Sequence, residues 1–132
     1  MKENIIKEKS FAFALQIIKL FQNIQSEKKE FILSKQLLRC GTSIGAMVRE
    51  AEQTESKADF IHKLAIDQKE ANETEYWIEL MFQSNYLNKQ QCESIFQEIT
   101  EIRKLLTSII KTSKSRKTNY QLSIINYQLS IN

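Results

Sequence analysis

The chain has 132 residues, a formal net charge of +3 and 27% charged residues, which fits one soluble domain able to bury a core without disulfides or metals. It contains no proline and only two glycines, Gly41 and Gly45, so sheet and loop-rich folds lack their turn residues and long helices on short connections are expected. No segment approaches the ~18 uncharged apolar residues of a membrane span, and the N-terminal MKENIIKEKSF breaks its apolar residues with charge, unlike a secretory leader. A cytoplasmic protein is expected, with Cys40 and Cys92, which form no CxxC pattern, as reduced thiols.

Apolar spacing and start signals place four helices. The first covers residues 4–25. On a helical wheel Phe11, Ala14, Leu15 and Ile18 share one face, and Phe13, Ile17, Leu20, Phe21 and Ile24 extend the apolar arc to about 220° at 100° per residue. A bundle helix needs little more than about 100°. The excess points to self-association, with Phe13, Ile17, Leu20 and Ile24 as candidate packing or interface residues.

A break at residues 26–30 precedes the second helix, residues 31–53. Its core side carries Leu33, Leu37, Cys40, Gly41, Ile44, Met47, Val48 and Ala51. Each glycine costs about 1 kcal/mol in a helix interior, yet the apolar phase runs unbroken across both. Close approach of another backbone is therefore expected at Gly41 and Gly45. The opposite side carries Lys35, Arg39, Thr42, Ala46 and Arg49, either a phosphate-facing strip or a solvated face with Arg49 in reach of an acid on the third helix.

The third helix is expected over residues 56–87, opened by the Ser56/Asp59 capping pair. Residues 59–87 hold six acids against two bases. Tyr76 and Trp77 read as core or subunit contacts, with base stacking as the alternative. Asn88 and Gln91 make a similar cap for the fourth helix, residues 88–111. Arg103 and Lys104 lie within it, and Lys111, Lys114, Arg116 and Lys117 form an acid-free run at its end, either a solvated terminus or a phosphate-facing patch. Connections this short give an all-α, antiparallel up-down-up-down four-helix bundle over residues 1–117. Residues 118–132, with NYQLSII followed by NYQLSIN, read as a low-complexity heptad-repeat tail that is expected to be flexible.

No catalytic constellation emerges. Bundle di-metal sites need Glu-x-x-His pairs on two helices, and the single histidine, His62, has only Asp59 at that spacing. No Ser-His-Asp or Cys-His arrangement and no phosphate-cradling glycine loop is present. Neither a cofactor nor a metal is expected.

Residues 33–51, LSKQLLRCGTSIGAMVREA, and 59–80, DFIHKLAIDQKEANETEYWIEL, resemble the bacterial four-helix proteins of the 23S ribosomal RNA intervening-sequence family, itself related to the accessory variability determinant of diversity-generating retroelements. The resemblance covers about residues 5–112 and leaves out the tail. It implies a ring-shaped homopentamer with a central channel and no catalytic residues, and in the retroelement relative a basic pentamer that binds nucleic acid and a reverse transcriptase. It also implies a packing role for Gly41, Ser43 and Gly45, with Arg49, Glu50, Glu70, Asn72, Glu73, Tyr76 and Trp77 as signature positions. Departures are Cys40 where serine is usual, Met47 where asparagine is frequent, and Asp67, which interrupts the stripe Phe60, Leu64, Ala71, Ile78.

The expected function is thus a non-catalytic homo-oligomer that associates with nucleic acid or a ribonucleoprotein. Lys35, Arg39, Arg49, Arg103, Lys104, Lys111, Lys114, Arg116 and Lys117 are the candidate contacts, and Gly41, Ser43, Gly45, Phe13, Ile17, Leu20, Ile24, Tyr76 and Trp77 the candidate packing or oligomer residues. The alternative is a scaffold whose ring binds a host protein.

Overall fold

The computed structural model describes the backbone of residues 2–131 and the side chains of residues 4–115. Helix α1 spans Lys2–Asn23 and widens into a π-helical turn at Ile24–Lys28; α2 spans Leu33–Glu52, α3 Lys57–Gln83 and α4 Lys89–Ile131. Among the described residues there is no strand. Cross-helix pairs fix the directions. Lys7 at the start of α1 meets Glu52 at the end of α2, Lys63 pairs back to Glu50, and Arg103 pairs back to Glu75, so successive helices run antiparallel. Lys9 closes α4 onto α1 through Glu101 at 2.8 Å. The chain is an up-down-up-down four-helix bundle.

Local chemistry sets the helix ends. Ser56 Oγ accepts the Asp59 amide at 3.1 Å, and Asn88 and Gln91 cap each other reciprocally at 2.9 and 2.7 Å, as a capping box requires. The start of α2 uses a capping device that its sequence does not announce. The Glu30 carboxylate accepts the amides of Ile32, Leu33 and Ser34 at 2.7–2.9 Å, satisfying three donors that a helix start leaves without a partner. Burial alone would raise the Glu30 pKa, but these donors hold it below the ordinary carboxylate value. To form this cap residues 29–32 must leave the helix, with Lys29 left-handed at φ 55. The break therefore falls there and not at 26–30, and α2 begins at Leu33 rather than at residue 31.

The third helix also stops earlier than expected, at Gln83 and not at residue 87. Asn85 turns left-handed, at φ 67. The Tyr86 amide then reaches Met81 O at 2.8 Å and the Asn85 amide reaches Phe82 O at 3.0 Å, which is a Schellman closure with asparagine in the glycine place. Leu87 folds back into the core. Its burial kept the apolar rhythm going past the true end. The last helix extends beyond residue 111, where it was expected to fade. The proposed tail, residues 118–132, lies outside the residues whose side chains are described.

The core draws on all four helices: Phe13 and Ile17, Leu37 and Ile44, Leu64, Ile78 and Met81, and Ile99, Ile102 and Leu106 are buried together. Truncating any such side chain to alanine costs about 2–5 kcal/mol. The two glycines set the α1–α2 spacing. A Cβ on Gly41 would sit 2.9 Å from Ile17 Cγ1, and one on Gly45 would sit 3.3 Å from the backbone oxygen of Ser10. At Gly45 it is the neighbouring backbone that approaches; at Gly41 it is a branched side chain. Asp67 takes its place in the buried stripe of α3 between Leu64 and Ala71.

Candidate interaction surfaces

The apolar surplus of α1 is divided between two sides of the helix. Phe13, Ile17 and Ile24 are 2% exposed or less. They fill the protomer core, and Ile17 lies over Gly41. As interface candidates they are corrected: a residue with no accessible surface cannot line a contact between protomers. Leu20 packs partly against the core. The outward side is held by Phe11 and Leu15, each about half exposed (50% and 49%), with Ile18 beside them; Ile5 is exposed nearer the start of the helix. Phe11, Leu15 and Ile18 are spaced i, i+4, i+7, so they form one stripe. The glycines carried the signal that would have sorted the two sets, because the side of α1 facing Gly41 and Gly45 is the inner one.

A second patch lies on α3. Tyr76 is exposed and stands edge-to-face on Trp77, ring centroids 5.1 Å apart. The Trp77 indole donates to a Glu73 carboxylate oxygen at 3.1 Å. Arg39 of α2 pairs with the same Glu73 and with Glu70, and Ser43 donates to Glu70 at 3.0 Å. This polar web orients Trp77 and joins α2 to α3. Because α1 packs on α2 and α4, and α3 on α2 and α4, the α1 stripe and the Tyr76 patch sit at diagonal corners of the bundle.

The basic candidates separate by what surrounds them. Arg39 is engaged by Glu70 and Glu73, and Arg103 by Glu75 at 2.8 Å. Arg49 does not reach an acid on α3; its guanidinium lies over the Phe11 ring, 5.4 Å from the centroid, a cation–π geometry. Lys35 is exposed on α2. On α4, Lys104, Lys111 and Lys114 are exposed, and shallow grooves beside them are lined by Thr100, Arg103, Lys104 and Thr107, then by Ser108, Lys111, Thr112 and Ser115. At 100° per residue these positions fall on one side of the helix. No acid occurs from residue 102 to 115. Arg116 and Lys117 lie outside the described side chains. His62 is exposed, and among the described residues no three metal-ligating side chains come together. No helix there is long and apolar enough to cross a membrane.

Residues 2–108 match the family model described as 23S rRNA-intervening sequence protein. No curated protein matches the chain. Among solved structures it is similar to a crystal structure of a protein with unknown function from the S23 ribosomal protein family of Bacteroides thetaiotaomicron VPI-5482. That protein is 58% identical over 84% of this chain and 99% of its own, with a TM-score of 0.83. With most of its length matched and its bundle shared, this chain belongs to the 23S rRNA-intervening sequence protein family.

Proposed function

We propose that this protein is a non-catalytic, homo-oligomeric cytoplasmic binding protein that associates with nucleic acid through the outer side of α4. The observation that carries the proposal is the acid-free stretch of that helix, where Lys104, Lys111 and Lys114 alternate with hydroxyls. Cations supply most of the affinity for a phosphate backbone, and hydroxyls add neutral donors along it. From Lys104 to Lys114 the helix rises about 15 Å, room for several phosphates. The description of the family by an rRNA-intervening sequence points to RNA.

Self-association multiplies such a surface. The α1 stripe and the Tyr76 patch are unlike each other and diagonally opposed, so copies that meet stripe to patch form a head-to-tail contact, which closes into a ring or runs on as a filament. A closed ring accords with the pentamer that the family resemblance implies. It would present several α4 surfaces at once, raising avidity without new contacts.

The test is RNA binding followed by fluorescence anisotropy across a salt series, with wild type beside a Lys104→Gln/Lys111→Gln variant. Affinity should fall steeply with salt, and the log–log slope should shrink by about 0.7–0.9 for each phosphate contact removed. No binding at low salt, or an unchanged slope in the variant, would overturn the assignment. One observation favours a second reading, a protein-binding scaffold: Tyr76, Trp77 and Arg39 are of the types that anchor protein interfaces, and they lie together. Capture of one host protein that survives nuclease treatment, and is lost in Tyr76→Ala, would support that reading.

A further inference from the structure

Among the described residues Asp67 is the one charged residue type buried in the core: it is 0% exposed, and neither carboxylate oxygen has a hydrogen-bond partner. We propose that the folded protomer carries Asp67 as the neutral carboxylic acid, and that this acid is a proton-operated lock on the bundle, tightening it as pH falls and loosening it when the proton leaves.

The fully buried hydroxyls of Ser10 on α1, Ser34 on α2 and Thr74 on α3 make their own hydrogen bonds to backbone carbonyls, at 3.2, 3.0 and 2.8 Å, and not to Asp67. Several cations of the surrounding helices pair with other acids: Lys7 and Lys9 of α1 with Glu52 and Glu101, Arg39 of α2 with Glu70 and Glu73, Lys63 of α3 with Glu50, and Arg103 of α4 with Glu75. Lys35, Arg49, Lys104 and Lys111 lie on exposed outer faces. The charge that does bear on Asp67 is that of Glu70, one turn away, and it opposes ionisation. An isolated carboxylate in an apolar interior costs far more than giving up its charge. Burial first, and Glu70 second, raise the Asp67 pKa from the ordinary 3.8 to about 8.

The sign of the linkage follows. From about pH 4 to about pH 8 the folded chain holds a proton that the unfolded chain has lost, so stability falls as pH rises through that window and levels off above it. The unfolding equilibrium constant should grow about tenfold per pH unit, and on the order of 100-fold from pH 5.5 to 7.5. This runs against the ordinary carboxylate pattern. The other shifted groups act outside the window. Glu30 and Glu101 are lowered below their usual value, so their contribution is already complete by pH 5.5. The Cys40 and Cys92 thiols are raised above 9, and Lys9 above 10.5.

The experiment is urea unfolding of the full chain between pH 5.5 and 8.5, in a His62→Gln background so that no imidazole titrates. The expected result is a falling stability with pH that Asp67→Asn abolishes, because the amide cannot ionise. A flat profile in the parent, or a slope that persists in D67N, overturns the proposal. A second readout needs no variant. The chain has only two aspartates, Asp59 and Asp67, so carboxyl-13C-aspartate gives two NMR signals. The buried one should keep the shift of the acid form through pH 7; ionisation near pH 4 would refute it.

Discussion

The outward stripe of α1 permits a quantitative test of assembly. Phe11 is about half exposed, and a phenylalanine side chain presents roughly 200 Å², so about 100 Å² remains to be covered by a partner. At about 25 cal/mol per Å² that amounts to roughly 2.5 kcal/mol. Leu15, similarly exposed, adds about 1–1.5 kcal/mol, half the value of a fully buried leucine. Replacing both by lysine removes about 4 kcal/mol from each contact and places two charges in it. Each interface should weaken by roughly 10³-fold, since 1.4 kcal/mol is a factor of ten. The fold should tolerate the change, because neither side chain belongs to the buried core. Sedimentation velocity across a concentration series reads the outcome: the parent as an oligomer, Phe11→Lys/Leu15→Lys as a folded monomer with unchanged helical circular dichroism. A parent that stays a single chain at high concentration would refute the reasoning, as would a double variant that assembles like the parent.

Two substitutions probe the protomer itself. Gly41→Val drives a branched side chain into Ile17, already 2.9 Å from the first added carbon; neither can swing aside in a helix, and a loss of about 2–4 kcal/mol is expected in urea unfolding. In a double-mutant cycle Ile17→Ala should recover part of it, since the clash needs both side chains. Glu30→Ala removes the cap of α2, at a cost of about 1–2 kcal/mol. Because the Glu30 pKa is lowered in the fold, its contribution is present above about pH 4.5 and lost as pH falls through the folded value. The stability difference between the parent and Glu30→Ala should therefore shrink as pH falls below about 4.5, which acid denaturation curves measure.

Much of the bundle was legible because helix periodicity and capping chemistry are local. Ser56/Asp59 and Asn88/Gln91 announce helix starts within four residues, and the core of α2 repeats at the spacing of its own turns. What escaped depended on a conformation that one residue type permits without requiring. Asn85 adopts the left-handed turn that ends α3, but an asparagine amid Phe82, Tyr86 and Leu87 does not announce it, and those side chains keep the helical rhythm. Glu30 reads as a solvated acid until its backbone partners are seen. The wheel gave the width of the apolar arc on α1 but not its division, which needs the position of α2. For the basic residues the obstacle was of another kind. Whether Arg39 and Arg103 face phosphate or carboxylate depends on the register of α3 against its neighbours, which no single helix encodes.

That register also locates the positive surface. Glu75 faces Arg103, and Gln68 donates to Thr107 at 2.8 Å, so α4 beyond residue 107 runs alongside the first turns of α3. The acids of α3 are concentrated at the other end, at Glu70, Glu73, Glu75 and Glu79, where they hold Arg39 and Arg103. Along its first ten residues, 57–66, α3 offers Lys57, Asp59 and Lys63 and no other full charge. Its acidic end therefore neutralises Arg39 of α2 and Arg103 of α4, and its first turns bring few acids to the later turns of α4. At 0.1 M salt the screening length is about 10 Å, less than the ~15 Å between Lys104 and Lys114, so each lysine acts mainly through its own surroundings. Lys111→Gln should thus weaken RNA binding several-fold and reduce the salt slope by about one. Arg39→Gln, which removes a charge already neutralised by two glutamates, should leave both nearly unchanged while loosening the α2–α3 web. Anisotropy at two salt concentrations decides between them, and equal losses in the two variants would show that the ion pairs of α2 open to admit phosphate.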